Sequence, residues 1–392
     1  MTAQNYMAPE SAGRLSQGGL IVGGAALLVC AIGYFRNPEQ FLRSYLIGYL
    51  LTLGVALGCL GLLMLQHMTG GDWGIVIRRP LESATRTLPL LAVLFLPIAF
   101  GARKIYLVWT SPGWVAPSAL QKAYLTLPGF YLRAAVYFAI WLTLALLLNA
   151  WSKRQDADPE DRGLRRKMQL LSGPGIVLYV FTVTFAAVDW VMSLSPQWNS
   201  TIFGFLFVAG QAISAMCLTI MVIVTLARTE PMSRVLQPRH LHDLGKLLFT
   251  FVMLWAYFSF SQLLIIWSGN LPEEISFYRP RLSGSWGYVA VALLLFHFAL
   301  PFFLLLSRDV KRSARFLPKL AAFVILMRYV DLYWISGAQF SPGGLHVHFL
   351  DFAAPLAVGG IWLAWYARQL KERPLLPLGD PRLAEALEHH EH

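Results

Sequence analysis

The sequence predicts an all-α polytopic membrane protein of about ten transmembrane helices, organised as two four-helix bundles (helices 2–5 and 6–9) plus two peripheral helices. Three observations predict it. Of 392 residues, 56% are hydrophobic and only 14% charged, more apolar than a soluble domain carries. Ten apolar runs are long enough to cross a hydrocarbon core of about 30 Å. Finally, an aspartate recurs in nearly the same words near the end of two of them, Ala187-Val188-Asp189-Trp190 and Tyr329-Val330-Asp331-Leu332.

The first run, residues 19–35, is the shortest; no small-residue cleavage pattern follows it, so it counts as a span and not a removed signal. Run 43–66 leads into His67 and a glycine turn with Asp72 and Trp73. His67 beside Asp72 suits proton uptake, and an interfacial turn capped by Trp73 explains the same residues without function. Runs 87–102 and 129–151 complete the hairpins that lead to run 174–194, where Tyr179, Thr182, Asp189 and Ser193 share a face. Asp189 has no cation near it in sequence, which makes it the freer of the two aspartates to exchange protons.

Run 201–227 opens the second half. In run 244–267 and its flanks, Asp243, Lys246, Thr250, Tyr257, Ser261 and Ser268 fall within an arc of about 60° at helical periodicity. Such a line is expected to face a bundle or a wet cavity, as the entrance of a proton wire or as hydroxyls that join helices by hydrogen bonds. Run 286–306 holds His297 mid-span, a proton relay or a bond to a neighbouring helix. In run 317–336, Arg328 and Asp331 are three residues apart and are expected to pair. Run 350–368 is the last.

The matched aspartates suggest a duplication, with residues 43–194 as one bundle and 201–336 as the second, although two unrelated bundle-facing carboxylates would look the same. All of this forms one integral membrane domain over 1–392, ending in a cytoplasmic tail, 369–392. The Glu388-His389-His390-Glu391-His392 run reads as solvated tail in preference to a metal site. Lys and Arg concentrate in alternate loops, including Arg78, Arg79 and Arg86, the stretch from Lys153 to Lys167, and Arg308 to Arg315. The positive-inside rule then puts both termini in the cytoplasm. On the outer side, residues 270–281 mix acids, bases and aromatics, so Glu273, Glu274, Arg279 and Arg281 are expected to dock a partner. His346, His348 and Asp351 cluster in the last outer loop, where a metal, a quinone head group or proton release would each use them.

Some classes are excluded. The formal net charge of +11 sits in short loops and not on a basic face with aromatic platforms, which argues against nucleic acid. Cys30, Cys59 and Cys217 lie within spans without CxxC or CxxCH spacing, so iron–sulfur ligation, covalent haem and a disulfide framework are not expected. The histidines near spans, His67, His242 and His297, supply no evident facing pair for a b-type haem. No intrinsic metal or redox centre is expected.

The segment Leu241-His242-Asp243-Leu244-Gly245-Lys246-Leu247-Leu248-Phe249, continued by Trp255-Ala256-Tyr257-Phe258-Ser259-Phe260-Ser261-Gln262 and Trp267-Ser268-Gly269-Asn270-Leu271-Pro272-Glu273-Glu274, resembles the ActF membrane protein of bacterial alternative complex III. Gln66-His67-Met68-Thr69-Gly70-Gly71-Asp72-Trp73-Gly74 does too. The resemblance implies an NrfD/PsrC-like membrane protein, a cofactor-free part of a respiratory quinol-oxidising complex in the bacterial cytoplasmic membrane. Its partners would be a second, related quinone-reactive membrane protein of the same complex, an iron–sulfur protein, haem c proteins, lipids and a terminal oxidase. Electrons would run through haem c and iron–sulfur clusters in those partners, while this chain adds structural support and a proton-conducting path. One alternative is a membrane anchor with its own quinol or menaquinol site, which would need an outer-side pocket with a His or Asp near the quinone oxygen. The other is a secondary transporter, which usually shows broken spans.

Overall fold

The computed structural model describes residues 6–159 and 161–383, apart from the side chains of Ser11, Asp72 and Arg162. The Glu388–His392 run and the side chain of Asp72 therefore lie outside the described residues. The chain is an all-α polytopic membrane protein. Among the described residues nine helices are long and apolar enough to cross a membrane, or ten if a bent pair counts as one span.

Helix α1 (Glu10–Arg36) is followed by α2 (Pro38–Thr69), the bent series α3 (Asp72–Thr85), α4 (Leu88–Leu94) and α5 (Leu96–Ile105), then α6 (Leu127–Ala157) and α7 (Arg162–Trp190). The second half comprises α8 (Phe203–Leu226), α9 (Pro238–Gly269), a short helix α10 (Pro272–Leu282), and α11 (Gly284–Ala292), which continues through a π-helical turn (Leu293–Ala299) into α12 (Leu300–Leu306). Helices α13 (Leu317–Phe340) and α14 (Leu350–Lys371) close the chain. Helix α2 packs against α3, α5 and α7, and α6 against α4 and α7; in the second half, α8 packs on α9 and α13, and the π-turn on α13. The two groups meet where α2 crosses α8. A Cβ at Gly58 would lie 2.1 Å from the Gln211 carbonyl oxygen, so only glycine lets the two backbones touch there. Helix α14 lies against α2, and α1 lies against α14.

The bend is 48° between Trp73–Leu94 and Leu96–Ile105, and Pro97 causes it. Ile98 N turns to the Phe95 carbonyl at 3.0 Å, and the Leu94 carbonyl accepts Tyr45 OH instead, at 2.7 Å. A freed carbonyl inside a membrane has to find such a partner.

Two sequence expectations need correction here. Arg78 and Arg79 are not in a loop: α3 is helical, and both guanidiniums are buried against Glu82, Asp156 and Asp380. Nor is the segment after α14 a free tail up to residue 383. Leu375, Leu376 and Leu383 pack with Ile75, Val76, Met232 and Val235, Leu375 N donates to the Tyr6 carbonyl at 2.7 Å, and Asp380 accepts from Arg78 at 2.8 Å. Both described ends of the chain thus meet at the same end of the bundle. The charges that made these segments look solvated are neutralised by each other, which sequence position does not reveal.

Candidate functional site

Helix α9 buries Leu241, Leu244, Leu248, Val252, Trp255, Gln262 and Ile266, an arc about 180° from the polar stripe at 100° per residue. Asp243, Lys246, Thr250, Tyr257, Ser261 and Ser268 therefore point outward. Tyr257 is 62% exposed, and Lys246 pairs with Asp243 at 3.2 Å on the surface. This overturns the expectation that the stripe lines the interior. The periodicity located a polar face; the core claimed the opposite one, which carries the larger apolar and aromatic side chains.

Trp255 and Gln262 of that face, with the exposed Met253, Phe260 and Tyr257, bound a cavity of about 630 Å³ between α9, α10, α11 and α13, so Tyr257 is the one stripe residue at its mouth. Its walls are mostly aromatic and aliphatic. Tyr257, Phe260, Val291 and Leu294 line it and are exposed, so the mouth opens sideways between α9 and α11, each part of a helix long and apolar enough to cross a membrane. Polar groups sit at its inner wall. Trp255 Nε1 donates to Asp331 Oδ2 at 3.1 Å, and Arg328 Nη1 donates to the same oxygen. Further out, Gln262 Nε2 donates to Tyr278 OH at 3.0 Å and the Gln262 carbonyl accepts from Ser200 Oγ at 2.9 Å. Asp331, Trp255, Gln262 and Tyr278 all line the cavity.

The expected Arg328–Asp331 pair is present, and both side chains are 2% exposed. Gly210 makes room for it: a Cβ there would lie 2.2 Å from Arg328 Cζ. His297 is fully buried, edge-on to Trp255 with ring centroids 4.4 Å apart, and neither of its ring nitrogens meets a protein partner. It lies in the π-turn. Pro301, four residues on, cannot donate to the His297 carbonyl, and a wider turn accommodates that loss.

The short helix α10 roofs the site. Arg281, expected at a docking surface, is instead buried, stacked 3.6 Å from the Phe277 ring centre and bonded to the Phe277 and Ile335 carbonyls at 2.5 and 2.6 Å. Burial lowers its pKa to about 9 and pushes the Tyr278 phenol up to about 12, so Tyr278 stays a neutral donor and acceptor. Glu273 and Arg279 remain exposed and Glu274 half-buried.

The other expected residues are dispersed. Asp189 is not free of cations: Arg133 grips it bidentately from α6, and Tyr137 OH donates at 2.7 Å. The correction has a simple cause, since the partner lies on a neighbouring helix, out of reach of any local pattern. Asp351 is buried and accepts from Ser44 Oγ at 2.5 Å, His348 N at 2.8 Å and Tyr333 OH at 3.1 Å; it ties the start of α14 to α2. His346 is exposed, and His348 Nδ1 accepts from Leu350 N. His67 is buried at the end of α2 near the Arg78 and Asp380 cluster. Among the described residues no group of three or more His, Cys, Asp or Glu is placed to hold a metal ion.

No protein-family model matches this chain, and a search of curated proteins finds no relative. The site is therefore read from its own chemistry. Apolar walls with a few convergent polar groups suit an amphipathic ligand that carries oxygens on a flat ring. Both bonds described to Asp331 use Oδ2, so Oδ1 is the oxygen a ligand hydroxyl in the cavity would meet. Sequence reasoning missed Trp255, Gln262 and Arg133. A helical wheel puts Trp255 and Gln262 about 20° apart, and a lone arginine inside an apolar run was the signal for Arg133.

Proposed function

We propose that this chain is a cofactor-free membrane component of a respiratory quinol-oxidising complex of the alternative complex III type. In this reading it sits in the bacterial cytoplasmic membrane with both termini in the cytoplasm, and its second bundle binds a quinol or menaquinol. The observation that carries the reading is the sideways-opening aromatic cavity with Asp331 and Trp255 at its inner wall. A lipid-soluble ligand would enter between α9 and α11, stack its ring among the aromatics and offer a hydroxyl to Asp331. Redox centres belong to partner proteins, and the outward polar stripe on α9 gives one of them a surface to pack on.

A proton path through Asp189 and Asp331 has less support. Protonating Asp331 would strand Arg328, since breaking a fully buried pair costs ~3–5 kcal/mol, and protonating Asp189 would leave the partly exposed Arg133 unpaired at a smaller cost. These carboxylates serve better as fixed anchors than as carriers.

A photoreactive quinone analogue tests the assignment. With the purified complex, labelled peptides should fall in α9 and α11, excess quinone should suppress the labelling, and Ala290→Trp, which fills the cavity wall, should abolish it. Labelling confined to other proteins of the complex, or unchanged by Ala290→Trp, overturns the proposal.

A further inference from the structure

A second cavity, of about 390 Å³, lies on the other bundle, at the end of the molecule where the chain termini meet. It is a groove between the α3–α4 corner, α6 and the segment after α14. Along α6, Leu142, Leu146, Asn149 and Lys153 follow one helical face, running from apolar depth to a charged rim. Pro89 forms the facing apolar wall. At the rim stand Arg86, Lys153 and Arg373, and among the described residues no acidic side chain lines the groove.

Among the described residues the charge around it is unbalanced. Six cations there, Arg78, Arg79, Arg86, Lys153, Arg373 and Arg382, accompany four carboxylates, Glu82, Asp156, Glu372 and Asp380. Glu82 is already held by Arg78 at 2.9 Å and Arg79 at 2.6 Å, and Arg373 reaches it only at 3.7 Å. Arg86 has a half-exposed partner, Glu372, at 3.0 Å. Lys153 is exposed and makes no ion pair among the described residues. Two polar atoms in the groove, Arg86 Nε and Asn149 Oδ1, are buried without a protein partner. Burial lowers the pKa of Arg373, so a nearby anion would relieve it.

We infer that this groove binds one anionic phospholipid, its phosphate held between Arg86, Lys153 and Arg373 and an acyl chain laid along Leu142, Leu146 and Pro89. Basic pockets between transmembrane helices recognise anionic head groups in this way. The apolar wall distinguishes a lipid from free phosphate, because only a lipid uses it. The assignment does not depend on the quinol reading, since the two cavities lie on different bundles.

Native mass spectrometry of the full-length protein in detergent tests it, with phosphatidylglycerol, phosphatidylcholine of matched chains, and inorganic phosphate as separate probes. The wild type should retain phosphatidylglycerol in preference to phosphatidylcholine. Lys153→Gln, which removes no described ion pair, should lower that preference ~fivefold, the change that ~1 kcal/mol per cation represents. Arg373→Gln should lower it further, and Leu146→Trp, which obstructs the apolar wall, should reduce binding of both lipids. Arg308→Gln, an exposed cation on another loop, should leave it unchanged. Equal losses in Arg308→Gln and Lys153→Gln would reduce the effect to general surface charge. Competition by inorganic phosphate with no effect of Leu146→Trp would make the ligand a free anion. Either result overturns the inference.

Discussion

Arg133 and Asp189 meet as a fork across α6 and α7, Nε and Nη2 each 2.9 Å from a different carboxylate oxygen. The arginine is 22% exposed, while the aspartate is 1% exposed. The pair therefore joins α6 to α7. Asp331 is held differently, by an arginine on its own helix and a tryptophan from α9. The same short motif thus anchors each bundle through different partners.

Breaking the first pair should destabilise the protein moderately. Asp189→Asn and Arg133→Gln are each expected to cost about 2–3 kcal/mol, below the ~3–5 kcal/mol of a fully buried pair because Arg133 is partly exposed. The double variant should cost clearly less than the two added together. Unfolding in mixed detergent micelles measures this, and strictly additive losses would show that the pair contributes nothing.

The docked segment after α14 should loosen in acid. Burial pushes the Asp380 carboxyl upward, but hydrogen bonds from Arg382 and the charge of Arg78 outweigh it, leaving the pKa below its usual value. A depressed carboxylate contributes stability that is fully present above the unfolded value of about 3.9 and is lost as the pH falls through the lower folded one. The protection factors of amides in residues 375–383, corrected for the slower intrinsic exchange in acid, should be high at neutral pH and fall below pH ~4. Asp380→Asn should be poorly protected at both, and a segment equally protected in acid would refute the role of this ion pair.

Two adjacent glycines on α1 should behave oppositely. A Cβ at Gly23 would sit 2.6 Å from Ile361 N on α14, whereas nothing lies within 4 Å of one at Gly24. Gly23→Val should separate α1 from α14, and Gly24→Val should be tolerated. Disulfide cross-linking of cysteines placed at Ala26 and Ala357 reports the separation; equal cross-linking in both variants contradicts the close approach.

The outward stripe of α9 should face protein in the native membrane. Single cysteines at Thr250 and Ser268, both exposed, are expected to cross-link to a neighbouring protein of the complex, while one at the buried Val252 is not. Cross-links to lipid reagents alone would return the stripe to the bilayer.

Much of the architecture was legible in the chain. Apolar runs and alternating basic loops follow from the cost of placing polar groups in hydrocarbon, a cost each segment meets on its own. The Arg328–Asp331 pair was legible for the same reason, because one turn of helix brings its members together. The helical nature of residues 72–85, the docking of residues 372–383 and the partner of Asp189 were not, because each depends on charges brought together from distant segments.

The sequence by itself determined that this protein spans a membrane many times, where most spans lie, and that two of them carry an aspartate near one end. Only the tertiary structure decided which face of α9 became core and which carboxylate met which cation, and with them where the aromatic cavity opens. Local periodicity specifies a helix and its faces; the neighbours that cover those faces are chosen by packing and charge pairing over the whole bundle.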